Sequence, residues 1–314
     1  MSTYRDHLPQ ISDKTFITDG GLETTLVFHH GYDLPAFAAF DVLKKEEGYQ
    51  VLWDYFSEYA HLARENGIGL ILESPTWRAS RDWGQTIGYS LKALEEMNNQ
   101  SVALLADIRQ RYETGESPMV ISGCIGPRSD GYTVTDKMTA AEAQRYHREQ
   151  IATLGRTAAD LVTAYTLNYA EEAIGITRAA QAENIPVAIG FTVETNGRLP
   201  SSQALGEAIM AVDQATGSGP SYYMINCAHP IHFEPVLTVD EPWLTRIHAV
   251  RANASTKSHA ELEALNTLDA GDPEDLGQRF ARLQTILPRM NILGGCCGTD
   301  HRHVDAICRS VTLH

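Results

Sequence analysis

Met290-Asn291-Ile292-Leu293-Gly294-Gly295-Cys296-Cys297-Gly298-Thr299-Asp300 is the stretch from which the rest of the chain is read. Asn291 to Leu293 has the look of a short buried strand. Two glycines follow, then two adjacent cysteines, a third glycine, and a Thr-Asp pair suited to cap a helix. Glycine tolerates backbone angles closed to other residues, so the expectation is that the glycines turn two neighbouring thiols toward one point. Two soft sulfurs at one point suit zinc but do not complete a site. The third candidate is Cys227 in Met224-Ile225-Asn226-Cys227-Ala228-His229-Pro230, again at the end of an apolar run. Cys227 and Cys296 are far more widely separated than the ligands of a zinc finger. That separation fits ligands on different strands of one large domain.

The same strand-then-helix unit recurs upstream. Thr15 to Thr18 is a short strand that ends in Asp19-Gly20-Gly21. Further strands are expected at Ile68–Leu72, Met119–Gly123, Leu161–Tyr165, Pro186–Thr192, Tyr222–Asn226 and Ile247–Arg251. Between them, apolar residues recur at helical spacing, as with Leu52, Phe56, Tyr59 and Leu62. The helix near Ala204 to Ala215 runs into Thr216-Gly217-Ser218-Gly219-Pro220, a stop signal. Eight alternating units imply a parallel sheet, and eight is the number that closes a (β/α)8 TIM barrel. The alternative, an open doubly wound sheet, lacks its Gly-x-Gly-x-x-Gly turn after the first strand. The expectation is one α/β barrel domain over residues 1–314. The acidic run Asp269 to Asp275 reads as a solvated loop that feeds a helix, since it lacks the oxygen-ligand spacing of a calcium loop.

Bulk composition narrows the function classes. With 25 Lys and Arg against 40 Asp and Glu, the formal charge is −15, and no basic cluster suggests nucleic acid as a partner. Residues Met1 to Gln10 lack an apolar signal core, and no apolar run approaches the length of a membrane span. A soluble cytoplasmic protein with reduced thiols is expected. Five cysteines in 314 residues do not make a disulfide framework. Oligomeric state cannot be read from the chain.

In such a barrel the chemistry sits at the carboxyl ends of the strands. The unusual residues fall there: Asp19 after strand one, Ser74 and Thr76 after two, Cys124 near three, Tyr165 at four, Thr192 after five, Asn226 and Cys227 at six, Asn253 near seven, Cys296 and Cys297 at eight. Strands six and eight are near enough around the ring to share an ion. Zn–S bonds of about 2.3 Å put tetrahedral sulfurs roughly 3.8 Å apart. Three thiolates leave one position open, as catalytic sites do. A site already rich in negative charge suits activation of a substrate thiol better than polarisation of a carbonyl. A methyl group on a positive sulfur or nitrogen is a fitting electrophile.

The chain resembles the homocysteine S-methyltransferase family, which includes the betaine–homocysteine methyltransferases, over nearly its whole length. Asp19-Gly20-Gly21-Leu22-Glu23-Thr24-Thr25-Leu26 is similar to the family's opening motif, Ile225-Asn226-Cys227 to its middle motif and Gly294-Gly295-Cys296-Cys297-Gly298-Thr299 to its closing motif. The resemblance implies a TIM barrel, a zinc held by Cys227, Cys296 and Cys297, and a small-molecule thiol and methyl donor as partners. With homocysteine as acceptor it would serve methionine biosynthesis. It implies substrate contacts from Asp19, Gly20, the Ser74 to Thr76 segment and Asn226. At the end of strand four the family has a glutamate that, with the acid of strand one, grips the homocysteine ammonium. This chain has Tyr165, and a phenol carries no charge at neutral pH. Glu23 also stands where the family usually has a small residue.

Blander roles compete at several positions. Cys308 lies on an apolar helix stripe and reads as core; Cys124 is either packing or site. His229 and His232 are rival metal ligands, while His301 and His303 read as surface or cap residues. Asn226 either touches substrate or braces backbone. Trp77, Arg78 and Trp83 either line the donor side or pack a loop. Two other functions stay open: a zinc-dependent hydrolase or lyase, which would need a general base near the metal, and a non-catalytic thiol- or metal-binding relative.

Overall fold

The computed structural model of the chain describes residues 2–237 and 241–313. Eight parallel strands close on themselves in sequence order, β1 pairing with both β2 and β8. They are β1 (Phe16–Ile17), β2 (Gly69–Glu73), β3 (Met119–Ile125), β4 (Leu161–Leu167), β5 (Val187–Phe191), β6 (Tyr222–Asn226), β7 (Ile247–Ala252) and β8 (Ile292–Gly295). Helices alternate with the strands and cover the ring, as in a (β/α)8 TIM barrel.

The two-residue period of the strands sorts the side chains into two layers. Outward residues such as Ile17, Leu70, Leu72, Val162, Tyr223, Val250 and Leu293 pack against helices such as Glu46–Glu65, which presents Leu52, Phe56 and Ala60. Inward residues such as Phe16, Ile71, Val120, Leu161, Ala188, Tyr222, Met224, Ala249 and Ile292 fill the barrel. Followed toward the strand ends, the inward set becomes polar. Glu73, Tyr165, Asn226 and Arg251 keep the parity of Ile71, Leu161, Met224 and Ala249, and so point into the top of the barrel.

Helix boundaries follow local capping chemistry. Ser90 accepts a hydrogen bond from the Ala93 amide at the start of the helix Leu91–Tyr112, and Thr139 with Glu142 forms a capping box for Ala140–Gly155. Gly217 ends the helix Leu205–Thr216 in the left-handed region at φ 65°. Asp272 caps Pro273–Ile286, so the acidic run is a loop feeding a helix.

At the opposite end of the barrel, Asp160 gathers three parts of the chain. Its Oδ2 accepts from Arg109 Nη1 at 2.7 Å and from the Ile121 amide, and its Oδ1 from the amides of Thr3 and Tyr4. Removing one member of a buried ion pair leaves the other charge unpaired, at a cost of about 3–5 kcal/mol. Asp160→Ala should lose stability of that order in denaturant titration, with the thiol chemistry of the far end unchanged.

Candidate metal centre at the barrel mouth

Cys227 follows β6, and Cys296 and Cys297 follow β8. β7 lies between those strands and acts as their template. The Cys227 amide donates to the Arg251 carbonyl (3.0 Å), the Cys296 amide to the Ala252 carbonyl (2.8 Å) and the Ala254 amide to the Cys297 carbonyl (3.0 Å). The three sulfurs thereby come within 4.8 Å of one another, and Cys227 Sγ lies 3.5 Å from Cys297 Sγ. This spacing is close to the roughly 3.8 Å that a tetrahedral zinc imposes on its sulfurs, so the donor set fits that ion. Among the described residues these cysteines are the one group of three or more His, Cys, Asp or Glu that could hold a metal.

The glycines work differently from the sequence expectation. Gly294 and Gly295 do not take left-handed angles; a Cβ on Gly294 would stand 1.9 Å from Thr18 Oγ1, and one on Gly295 would stand 2.0 Å from Thr299 Oγ1. Their role is to let β8 approach β1 and the Thr299 turn. Left-handed angles fall on Gly298 (φ 81°) and on Cys227 itself (φ 57°). A non-glycine residue in that region is strained, and the strain here aims a ligand.

Hydrogen bonds from Cys227 and Cys297 hold the Cys296 thiol well below its usual range, helped by the charge of Arg251, while its partner Cys227 is pushed well up. Cys297, like Cys227, is pushed up, so of the three thiols Cys296 is the one its surroundings favour as a thiolate. Above them sits Tyr132, from the loop after β3. Its hydroxyl lies 2.9 Å from Cys227 Sγ and 4.0 Å from Cys297 Sγ, and its ring stacks on His259 at 4.3 Å. Asp130 pins this loop by accepting from the amides of Tyr132 and Thr133.

Asp19, just past β1, is buried and has both oxygens engaged: Oδ1 accepts from Arg251 Nη2 at 2.7 Å and Oδ2 from the Tyr55 hydroxyl at 2.9 Å. Burial pushes its carboxyl up, and Arg251 and Tyr55 pull it back. Arg251 also donates from Nη2 to the Gly20 carbonyl and from Nε to the Gly295 carbonyl. Tyr165 donates to Glu73 Oε1 at 2.5 Å, and its ring lies 5.1 Å from the Arg251 guanidinium. Ser74 and Thr76 bond to each other; Ser74 Oγ accepts from the Cys124 amide, and Thr76 Oγ1 donates to the Cys124 carbonyl. Asn226 spends its side chain on Thr166, accepting from the amide and donating to Oγ1, both at 3.0 Å. Thr166 is itself left-handed at φ 61°.

The remaining candidates take structural positions. Cys124 lies within β3 in the barrel core, and Cys308 is buried on its helix. His229 caps the helix Pro230–Phe233, His232 faces the Thr256 carbonyl, His301 pairs with Glu58, and His303 joins the Asp300 cap. A surface cleft lined by Glu58, Glu65, Glu274, His301 and Arg309 holds mixed charges, with His301 paired to Glu58 and Arg309 to Glu274, and has no cysteine.

The family model described as homocysteine S-methyltransferase matches residues 16–311. The chain belongs to the homocysteine S-methyltransferase family. It is an enzyme of that kind. Homocysteine S-methyltransferase 4 of Zea mays is 23% identical over 328 residues, covering 94% of this chain and 89% of its own. The metallated form of the homocysteine methyltransferase MmuM from Escherichia coli superposes with a TM-score of 0.72 at 16% identity, covering 95% of this chain and 96% of that one. Its oxidised form gives 0.74 at 16% identity, covering 96% and 97%. At such identities the two structures speak for the fold.

Arg251, Glu73, Tyr55 and Tyr132 were not singled out from sequence. The first two had a signal, because each is a charge at an inward position of an apolar strand. Tyr132 had none beyond its Asp130-Gly131 turn.

Two measurements follow from this geometry. Relieving a left-handed residue is worth roughly 1–2 kcal/mol, so metal-free Cys227→Gly should be more stable than Cys227→Ala by about that much in denaturant titration. Burial pushes the Glu73 carboxyl from 4.5 up to about 7. The folded state therefore binds the more protons, and stability falls as pH rises through that window. Glu73→Gln should flatten the fall between about pH 4.5 and 7, by at most about 3 kcal/mol.

Proposed function

We propose that the chain is a zinc-dependent S-methyltransferase that moves a methyl group from a sulfonium or quaternary ammonium donor to a thiol, homocysteine or a related one. The observation that carries this reading is the convergence of Cys227, Cys296 and Cys297 at the carboxyl ends of β6 and β8 in a member of this family. Three thiolates around a tetrahedral ion leave one position for a substrate sulfur. Zinc bound there supplies a Lewis acid that keeps that sulfur a thiolate at neutral pH.

The chain's own residues supply the rest. The acceptor S–H gives up its proton, a new S–CH3 bond forms in line with the departing group, and the donor's bonding pair stays on its sulfur or nitrogen, which leaves neutral. Glu23, partly buried on the helix after β1, has its carboxyl pushed up to about 7, first by burial and further by the charge of Cys296, and is the base proposed to take the proton. Tyr132 covers the sulfurs and must swing away for the thiol to enter, which makes its loop the cover that later excludes water. Asn226 and Thr166 brace the ends of β6 and β4 against each other, and Gly20, Ser74 and Thr76 are the residues proposed to contact the acceptor.

Reduced protein supplied with zinc should bind one ion per chain. Cys296→Ser should weaken zinc binding by more than the roughly 10–100-fold seen when a residue behind a ligand is changed; full retention in metal analysis would sink the ligand set. Turnover with homocysteine-type thiols against S-methylmethionine, S-adenosylmethionine and betaine tests the reaction itself.

A further inference from the structure

We propose that the acceptor is an acidic thiol without an α-ammonium group, a mercaptoalkanoate, whose carboxylate pairs with Arg78. The proposal rests on the thiol-methyltransferase reading above and narrows its substrate.

The place where a carboxylate would meet an ammonium is filled from within the protein. Asp19 has given one oxygen to Arg251 and the other to Tyr55. Arg251 is held in addition by the Gly20 and Gly295 carbonyls and is only 7% exposed. An incoming ammonium would find no free oxygen on Asp19 and a fixed positive charge beside it. At the end of β4, Tyr165 offers no charge and is itself committed to Glu73. Glu73 keeps Oε2 without a partner, yet it is enclosed in the barrel with Tyr165.

Arg78 presents the complementary case. It is 5% exposed, and its guanidinium lies between the rings of Trp77 and Trp83, at 3.8 and 3.7 Å from their centres. The buried arginines Arg109 and Arg251 each have a carboxylate oxygen at 2.7 Å. Among the described residues, no carboxylate comes within ion-pair distance of Arg78. Its one hydrogen bond is from Nη1 to the Ser129 carbonyl at 3.3 Å, and its buried Nε has no partner. The buried indole Nε1 of Trp77, next in sequence, is also unpartnered. A desolvated guanidinium with no carboxylate in contact is costly; burial pulls its pKa down to about 10, against the more distant charge of Asp130. The planar fork of arginine matches a carboxylate with two parallel hydrogen bonds.

The location suits an acceptor bound to the sulfurs. Arg78 follows β2 and holds the loop that carries Tyr132, three residues beyond Ser129, whose hydroxyl touches Cys227. Its charge is felt first by Asp130 in the same loop, and then by Tyr132 and Glu23. On this proposal an acceptor whose sulfur sits with the three cysteines reaches Arg78 with a carboxylate at the end of its chain.

The test uses the full chain loaded with Co2+, whose sulfur-to-metal absorption reads thiol binding without a methyl donor. The probes are 4-mercaptobutyrate, homocysteine (the same skeleton with the amino group) and 1-propanethiol. Wild type should bind 4-mercaptobutyrate about tenfold or more tighter than the other two, the worth of one charge-assisted hydrogen bond. Arg78→Gln should bring 4-mercaptobutyrate down to the level of 1-propanethiol and leave 1-propanethiol unchanged, and Arg78→Lys should recover part of the preference. Tighter binding of homocysteine would overturn the proposal alone. So would an equal loss for all three probes in Arg78→Gln, or an Arg78→Gln effect confined to the KM of the methyl donor in turnover. If no thiol perturbs the spectrum, the methyltransferase reading falls and the proposal with it. Should Arg78→Gln fail to fold, the wild-type ranking of the three probes still decides.

Discussion

Arg251 projects inward from β7 and ties its own strand end to two others: Asp19 and Gly20 after β1, and Gly295 at the end of β8. Its own carbonyl receives the amide of Cys227, and the next carbonyl receives that of Cys296. One residue therefore sets the relative placement of the two cysteine-bearing strand ends. The guanidinium also adds positive charge beside the sulfurs, which favours the thiolate at Cys296. A buried ion pair contributes little net stability, because desolvation offsets the attraction. Its value here is geometric, since removing either partner would strand a charge at the point where the sulfurs must converge.

That placement explains why the distortion falls where it does. β6 ends in Asn226 and then turns through the left-handed Cys227, while β4 ends through the left-handed Thr166. Asn226 links the two, because its amide satisfies the backbone and hydroxyl of Thr166 across β5. Gly190, on β5, makes the room: a Cβ there would lie 2.8 Å from Asn226 Oδ1. Strain at two strand ends is thus held by one buried amide, and the reward is a sulfur aimed at its partners rather than along the strand.

The barrel was legible from sequence because hydrophobic period and turn signals repeat eight times, and β6 in particular runs from Tyr222 to Asn226 as expected. The cysteines were legible because chemistry in this fold gathers at strand ends. The mouth was less so. Tyr165 stands out in the sequence as an uncharged residue where the family has a glutamate, yet the cation that pairs with Asp19, Arg251, comes from a different strand and sits unremarked at the end of the expected Ile247–Arg251. Two-residue parity, carried through Ala249 to Arg251, would have turned it inward. Tyr132 could not be found this way, since it reaches Cys227 across 95 residues from an irregular loop with no periodicity to project from.

Activation and recognition then fall on different parts of the ring. The sulfurs belong to β6 and β8 with β7 as their template, whereas Arg78, Trp77 and the Tyr132 loop belong to β2 and β3. Trp77 and Trp83 would ordinarily suggest an aromatic seat for a cationic methyl donor, but each ring already faces a guanidinium. On the proposed reading the donor has less need of such a seat. A divalent ion held by Cys227, Cys296 and Cys297 as thiolates would leave the site net negative, and a substrate thiolate would make it more so. Where water is excluded, opposite charges attract far more strongly than in water, so a substrate thiolate held beside Cys227, Cys296 and Cys297 would itself favour a cationic methyl donor. The group that reacts supplies the attraction, and the loops of β2 and β3 are left to discriminate among acceptors.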